Sequence, residues 1–258
     1  MLRFWPFLAL VLSCSAVADQ RPKLSLVVDD LGYSLDRGIA AIELEGTHTY
    51  AILPDTSFSR QLAERAHEHG KEVILHLPMQ SINSASTREP HALNEAMDED
   101  ELTAKVHHLL REVPFIRGVN NHMGSHLTEF DFFMRPVMDS IRGYNPNLYF
   151  LDSRTSPRSV ALAEAREAGL RSISRDVFLD NETNPESIRL QIQIWLAQAR
   201  QRGTAIAIGH PYDNTISQLR EYLPAALAEF EFLPISKMIE ARKLLKREGA
   251  DVNVLSGL

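Results

Sequence analysis

Four short apolar runs, each suited to a buried β-strand, end on an acidic residue or a histidine. LSLVV is followed by Asp29 and Asp30, EVIL by His76, LYFL by Asp152, and AIAIG by His210. An unpaired titratable group costs several kcal/mol to bury, so its repeated occurrence at strand ends requires a reason. Catalytic groups gather at the carboxyl ends of the strands in parallel sheets and barrels. The pattern therefore predicts a hydrolytic site with a metal ion at that edge.

Strand-like and helix-like segments alternate along the rest of the chain. The predicted strands are residues 24–28, 49–53, 72–75, 118–120, 148–151, 171–173, 205–208 and 231–233. Between them lie helical patterns, of which the clearest starts at Asn184 and ends at Gly203. Alternation of this kind implies parallel strands joined by crossovers, so we predict an α/β fold with a closed or nearly closed β/α barrel. A doubly wound open sheet is the alternative.

The first residues have the features of a secretory signal. Arg3 is followed by an apolar stretch over 4–12 and by the small-x-small sequence Ala16-Val17-Ala18. We predict a signal peptide over 1–18, cleavage after Ala18 and export to the periplasm. A rival interpretation makes Cys14 the lipidated first residue of a lipoprotein. Neither this stretch nor any later one is long and apolar enough to span a bilayer, so we expect no transmembrane anchor in the mature chain.

Charge and cysteine content narrow the possible partners. Cleavage after Ala18 removes one basic residue and the only cysteine, leaving 26 basic and 34 acidic residues, or 26 − 34 = −8. This negative balance argues against a nucleic-acid partner. A mature chain without cysteine has no disulfide framework, which is compatible with an oxidising compartment. With an apolar fraction of 44%, we expect one domain over 19–245 and a loose tail over 246–258.

Two of the strand ends carry groups typical of a metal or acid–base site. Adjacent acids such as Asp29 and Asp30 repel each other unless a cation or a shared proton relieves them. A helix N-cap is the alternative, but capping needs only one acid. His76 ends its apolar run, and we expect Leu77-Pro78 to turn the chain away after it. A lone histidine is more often a core group, but this one falls at the same sheet edge as the acids.

The segment NNHMGSH over 120–126 is the densest polar stretch of the chain. His122 and His126 are four residues apart, a spacing that lets two imidazoles on a helix share a metal. Gly124 between them argues against a regular helix, and a polar turn is the alternative. We favour His122 over His126 as a ligand, with Asn121 and Ser125 as supporting residues.

The remaining strand ends supply an acid candidate and further charges. His210 lies between a glycine and a proline and is well placed for a general acid, and a histidine that ties down a turn is the alternative. Asp152, Arg154, Arg175 and Asp176 add carboxylates and guanidinium groups to the same edge. An arginine next to an aspartate usually forms an ion pair with a structural role only. In the functional alternative, an arginine orients the catalytic acid and lowers its pKa.

Seven strings in this order resemble the divergent polysaccharide deacetylase family, a branch of the carbohydrate esterases with a distorted, NodB-like β/α barrel. They are VVDDLG (27–32), AILPD (51–55), GKEVILHLPMQ (70–80), GVNNHMGSH (118–126), LYFLDS (148–153), RDVFLD (175–180) and AIAIGHP (205–211). The resemblance implies a distorted parallel (β/α) barrel of about seven to eight strands. No G-x-S-x-G elbow, phosphate loop or dinucleotide fingerprint supports a serine hydrolase, an NTPase or a dehydrogenase.

The resemblance also implies a ligand set. Typical members use an aspartate pair as base and metal ligand, here Asp29 and Asp30, and a histidine pair spaced by four. This chain has His76 but glutamine at position 80, and NNHMGS replaces the arginine–proline motif of the family. We infer that His122 takes the missing place, giving Asp30, His76 and His122 around a divalent metal, Zn²⁺, with Asp29 as base and His210 as acid.

This ligand set implies a metal-dependent hydrolase of the cell envelope. We expect it to remove N-acetyl groups from a polysaccharide or peptidoglycan sugar, so that its partner is an N-acetylated glycan or a peptidoglycan fragment. One alternative is a catalytically inactive binding or regulatory envelope protein on the same barrel, because fold does not fix function. Another is metal-assisted hydrolysis of a different ester, such as a phosphoester.

Overall fold

The computed structural model describes residues 21–82 and 91–255, so the predicted signal peptide over 1–18 lies outside the described residues. The strands are β1 (Lys23–Leu31), β2 (Thr49–Ile52), β3 (Glu72–Met79), β4 (Ile116–Met123), β5 (Tyr149–Asp152), β6 (Arg171–Ser174), β7 (Val177–Phe178), β8 (Thr204–Gly209) and β9 (Glu231–Phe232). The helices are α1 (Leu35–Ile42), α2 (Ser59–Glu68), α3 (Glu99–Glu112), α4 (Asp131–Tyr144), α5 (Ala161–Glu167), α6 (Pro185–Arg202), α7 (Asp213–Glu229) and α8 (Ile235–Leu255).

The strands form one parallel sheet that curls into an incomplete barrel. Their order is β6-β5-β4-β3-β2-β1-β8-β7, and β9 pairs with β1 outside this path. The predicted distorted parallel barrel of seven to eight strands is therefore confirmed, and every predicted strand overlaps an observed one. β7 was not predicted, because its two residues are too few to show a period.

Both faces of the sheet are buried, which explains why the strand sequences are continuous apolar runs. One set of side chains, including Leu24, Leu26 and Val28, packs against the surrounding helices. The alternate set packs inside the curled sheet together with Ile235 and Met238 of α8. The last helix therefore fills part of the barrel interior.

A buried carboxylate fixes the start of α8 to the amino ends of three strands. Glu72 is only 9% exposed, and its Oε1 accepts hydrogen bonds from Thr49 Oγ1 at 3.0 Å and from the Tyr149 hydroxyl at 2.7 Å. The same oxygen accepts from the backbone N–H of Ser236 in the first turn of α8 at 3.1 Å. Negative charge is favourable at a helix N-terminus. This network closes the barrel at the end opposite to the titratable strand ends.

The C-terminal segment is helical over most of its length. α8 runs through Leu255, so the backbone of 246–255 continues the helix, and the loose packing expected for the tail stays a prediction. The boundaries expected at 18 and 245 also stay predictions. Among the residues that the structure describes, no helix combines the length and the apolar character needed to cross a membrane.

Replacing Tyr149 by phenylalanine removes one donor from the buried Glu72 carboxylate. We expect the Tyr149→Phe protein to lose about 1–3 kcal/mol of unfolding free energy, since hydrogen bonds to charged groups contribute this much. Urea denaturation followed by circular dichroism measures the change. Tyr144→Phe, at a tyrosine that is 39% exposed, is the control and should change stability by less than about 0.5 kcal/mol. Equal stabilities of the two variants would contradict the role of the network.

Candidate metal and acid–base site

Asp29 and Asp30 lie inside β1, which continues to Leu31, and not after the strand as the sequence analysis expected. Adjacent residues of a regular strand point to opposite faces. Asp30 has a φ of 60°, and the pairing of β1 with β2 shifts between Val28 and Leu31. Such a bulge re-aims side chains, and aspartate tolerates the left-handed region better than most residues. Both carboxylates can therefore face one centre.

The two histidines of the predicted ligand set lie on neighbouring strands. β3 runs through Pro78 to Met79, and β4 includes His122, which pairs opposite Pro78. The expected sharp turn at Leu77-Pro78 was therefore wrong. His122 lies in a strand and not in the polar turn that was the alternative for its segment. β2 pairs with β3 only as far as Leu75, so the missing N–H of Pro78 does not interrupt that pairing, and the Pro78 carbonyl still accepts a hydrogen bond from Leu93 N–H.

One atom from each of Asp30, His76 and His122 meets at a single point. Asp30 Oδ1 lies 3.0 Å from His76 Nε2 and 2.9 Å from His122 Nδ1, and these two nitrogens are 3.1 Å apart. Asp30 Oδ1 is buried, yet no contact satisfies it with the geometry of a hydrogen bond. An unsatisfied buried carboxylate oxygen beside two imidazole nitrogens is the arrangement that a divalent cation would complete. These residues could hold a metal ion, and a set of three N and O ligands suits zinc with one open position.

The two aspartates differ in their titration. Burial raises the pKa of Asp30, but the neighbouring His122 and His76 outweigh it and hold that pKa well below its ordinary value. Burial also raises the pKa of Asp29, and here His76 and His210 oppose the shift only in part. Paired carboxylates with pKa values pushed apart are typical of sites that separate a ligand or stabilising acid from a proton-transferring one.

Asn120 connects Asp29, the predicted base, to His76, a predicted ligand. Its side chain is fully buried, and its Oδ1 accepts a hydrogen bond from His76 Nδ1 at 2.7 Å. Its Nδ2 donates to Asp29 Oδ1 at 2.9 Å and to Ser153 Oγ at 3.2 Å. The first bond directs His76 Nε2 towards the centre, as hydrogen-bond partners of ligand histidines do in metal sites. Asn120 was not predicted as a site residue, because only the strand register that places it opposite His76 brings the two side chains into contact.

His210 is oriented by Asp180. His210 Nδ1 lies 2.9 Å from Asp180 Oδ1, and the backbone N–H of His210 donates to Asp180 Oδ2 at 2.7 Å. The opposite ring nitrogen, Nε2, lies 3.8 Å from Asp30 Oδ2. Burial lowers the pKa of His210, but the bond to Asp180 and the charge of Asp30 raise it further, to about 9. His210 therefore carries a proton at neutral pH, and Asp180 is a second residue that the sequence analysis did not select.

The residues predicted as supporting hold the loops around this cluster. Asn121 Oδ1 accepts from Ser153 N–H at 2.9 Å, and Ser125 Oγ accepts from Ile82 N–H at 3.1 Å. Asp152 accepts from Arg154 N–H at 2.8 Å. These contacts are made to backbone groups rather than to the three ligand atoms.

The arginines and Asp176 have structural contacts as well. Arg175 donates to the backbone carbonyls of Ser153 and Arg154, at 2.7 and 3.0 Å. Asp176 accepts from Ile206 N–H at 2.8 Å and pairs with Arg242 of α8. These contacts favour the structural alternative for these residues, and none of them brings Asp176 to the ligand cluster.

His126 lies apart from the cluster. Met123 and Gly124 have φ values of 54° and 85°, and this left-handed pair reverses the chain directly after His122. His126 Nε2 then pairs with Glu95 Oε2 at 2.7 Å. The spacing of four residues therefore does not place His122 and His126 on one face.

Asn120 variants can separate its two hydrogen bonds. Asn120→Asp keeps an acceptor for His76, so we expect its zinc affinity to stay within about threefold of the parent, whereas Asn120→Leu should bind zinc about 10- to 100-fold more weakly. Competition with a chelating indicator gives the affinities. Ser153→Ala, which removes only the third partner of Asn120, is the control and should bind normally. Unchanged zinc affinity of Asn120→Leu would show that this contact does not orient His76.

Comparison with known proteins gives one family for the chain. Residues 26–239 match the model of the family described as divergent polysaccharide deacetylase. The chain is 35% identical over 231 residues to the uncharacterized protein YibQ of Escherichia coli (strain K12), which covers 90% of this chain and 70% of YibQ.

Two solved structures share the fold. The uncharacterized protein ATU2773 of Agrobacterium tumefaciens C58 superposes with a TM-score of 0.79 at 22% identity, covering 86% of this chain and 90% of that one. The CE4 family pseudoenzyme BA3943 of Bacillus anthracis superposes with a TM-score of 0.51 at 12% identity, covering 85% and 66%. At these identities, both likenesses bear on the fold alone.

Proposed function

This chain belongs to the divergent polysaccharide deacetylase family, and from that premise we propose that it is a metal-dependent N-deacetylase of the cell envelope. Its substrate is an N-acetylated sugar in a polysaccharide or in peptidoglycan, and the proposed location is the periplasm, which the signal-like first 18 residues support. The proposal rests on one observation. Three donor atoms meet beside Asp29 and His210, namely Asp30 Oδ1, His76 Nε2 and His122 Nδ1.

The proposed metal is zinc, held by Asp30, His76 and His122. Two imidazole nitrogens and one carboxylate oxygen are a donor set found in catalytic zinc sites. When bound, such an ion acts as a Lewis acid that lowers the pKa of water and stabilises negative charge on a carbonyl oxygen. The unsatisfied Asp30 Oδ1 is the feature of this chain that supports its binding.

The chain's own residues move the protons of the proposed hydrolysis. Asn120 holds Asp29 by its Oδ1, and Asp29 accepts a proton from the attacking water. The water oxygen bonds to the acetyl carbon and the amide C–N bond breaks. His210, protonated and held by Asp180, donates a proton from Nε2 to the departing amine. The products are acetate and a sugar with a free amine.

The inactive envelope protein is the rival to this proposal. The reason to consider an inactive protein is glutamine at position 80, where the family's second histidine is expected. The position of His122 against His76 and Asp30 supplies a third donor without residue 80. This geometry supports the enzyme over the inactive protein, and metal content and turnover decide between them.

Asp29→Asn should remove the base and keep the metal. We expect acetate release from N-acetylglucosamine oligomers and from peptidoglycan to fall at least about 100-fold, while elemental analysis still finds one equivalent of zinc. Asp139→Asn, at an exposed aspartate of α4, should keep full activity. Full activity of Asp29→Asn would exclude the assigned base. A parent protein that takes up no metal would favour the inactive alternative, and turnover of generic phosphoesters instead would favour the other hydrolase.

Asp180→Asn should shift the alkaline limit of activity. Because His210 must be protonated to act as the acid and its pKa is about 9, kcat/KM should fall as the pH rises through that value. Without the Asp180 carboxylate the pKa of His210 returns towards its ordinary value of about 6.5, so the fall should begin at lower pH. Asp176→Asn, whose carboxylate contacts Ile206 and Arg242 instead, is the control. An alkaline limit that stays in place in Asp180→Asn would rule out His210 as the titrating acid.

A further inference from the structure

Two histidines and two carboxylates form a second cluster, made of residues outside the predicted ligand set. Its centre is Asp55, which follows β2 and ends the string AILPD. Asp55 Oδ2 lies 3.2 Å from His91 Nδ1 and 3.5 Å from His108 Nε2. Glu112 Oε1 lies 3.9 Å from His108 Nδ1. One donor atom from each of Asp55, His108 and Glu112 lies within 4.8 Å of the other two.

The four residues come from three separate parts of the chain. His108 and Glu112 are four residues apart on α3, a spacing that places both side chains on one face of the helix. His91 lies in the connection between β3 and α3, and Asp55 lies in the loop after β2. Helix geometry explains the first pair, but only the tertiary fold brings the other two residues to it.

Two neighbours of His91 Nδ1 make opposite demands on this nitrogen. Lys105 Nζ lies 3.5 Å away, and an ammonium group only donates, so it requires a lone pair on Nδ1. Asp55 Oδ2, at 3.2 Å, only accepts, so it requires a proton on the same atom. One nitrogen cannot satisfy both. A metal ion in place of the ammonium removes the conflict, because it binds the imidazole lone pair and the carboxylate together.

The donors of this cluster select the class of cation. Imidazole nitrogens suit zinc, copper and nickel, whereas magnesium and calcium prefer oxygen ligands. Structural zinc sites are four-coordinate, and histidine and carboxylate side chains are among their ligands. We infer that these four residues form a second metal site, which takes zinc or a similar transition-metal cation and has a structural role. This role is independent of the proposed deacetylation.

The second metal site joins α3 to two segments that are bonded to the ligand-bearing strands. In the loop after β2, Leu53 N–H donates to the carbonyl of Leu31 in β1 at 2.8 Å. In the connection between β3 and α3, Leu93 N–H donates to the carbonyl of Pro78 in β3 at 2.9 Å. An ion in this site therefore braces the chain beside the carboxyl ends of β1 and β3.

The number of bound zinc ions tests the second metal site. Metal-free protein is dialysed to equilibrium against zinc, and elemental analysis gives the ions per chain. We expect Asp55→Asn and His108→Asn each to bind one ion fewer than the parent. Asparagine tolerates the φ of 53° at position 55 as aspartate does, and the His108 side chain is 46% exposed, so both variants should fold. His69→Asn, at an exposed histidine that bonds its own helix, is the control and should bind as many ions as the parent.

Stability gives a second measurement that does not depend on activity. Asp30→Asn removes a ligand of the first site and leaves the second intact. Zinc at 100 times its Kd should raise the thermal midpoint of this variant by about 5–10 °C. The midpoint of the double variant Asp30→Asn, His108→Asn should not change with zinc.

The charge of Lys105 provides a test of the ligand His91. Lys105→Gln removes the ammonium group that competes for Nδ1, so the second ion should bind about threefold to tenfold more tightly. Competition with a chelating indicator in the Asp30→Asn background measures this affinity. An affinity that does not rise would exclude His91 Nδ1 as a ligand.

The outcomes separate the two metal sites. If Asp55→Asn and His108→Asn bind as many ions as the parent, or if His69→Asn also loses one, the extra zinc is adventitious and the second metal site is overturned. The same holds if zinc stabilises the double variant as much as Asp30→Asn. If Asp30→Asn binds as many ions as the parent while His108→Asn loses one, the metal of the proposed deacetylase fails and the second metal site stands.

Discussion

The buried oxygen Asp30 Oδ1 is the constraint around which the site is organised. It lies at contact distance from two imidazole nitrogens but takes part in no well-formed hydrogen bond. A buried charge in this position is costly unless another charge neutralises it. The three donor atoms come from β1, β3 and β4, so their convergence depends on the curl of the sheet and on the register of its strands. A fold that flattened the sheet would separate them.

Asn120 makes the two halves of the site interdependent. One amide group fixes the ring of His76 through its oxygen and the carboxylate of Asp29 through its nitrogen. The positions of His76, the proposed ligand, and of Asp29, the proposed base, therefore change together when this side chain moves. A typical family member uses an arginine near this place, according to the resemblance seen in the sequence. The amide supplies an acceptor for the histidine, which a guanidinium group has no atom to provide.

The sequence predicted the strands, their buried faces and most of the cluster, because these depend on local patterns. Prediction from the sequence failed for features that depend on pairing between strands far apart in the chain. The bulge at Asp30, the strand that continues through Pro78 and the place of His122 opposite it follow from pairing between neighbouring strands. Asn120 and Asp180 were missed for the same reason, since neither stands out until its partner histidine is located.

The attachment of α8 to Glu72 has a consequence for how the protein matures. Ile235 and Met238 complete the apolar interior of the sheet, and the helix that carries them is the last element of the fold. Domains made on the ribosome generally gain structure from the N-terminus onwards. The inner layer of the sheet therefore stays unfilled until α8 is in place, so the packing of side chains from β1, β2 and β8 depends on a helix that follows all three strands in the chain.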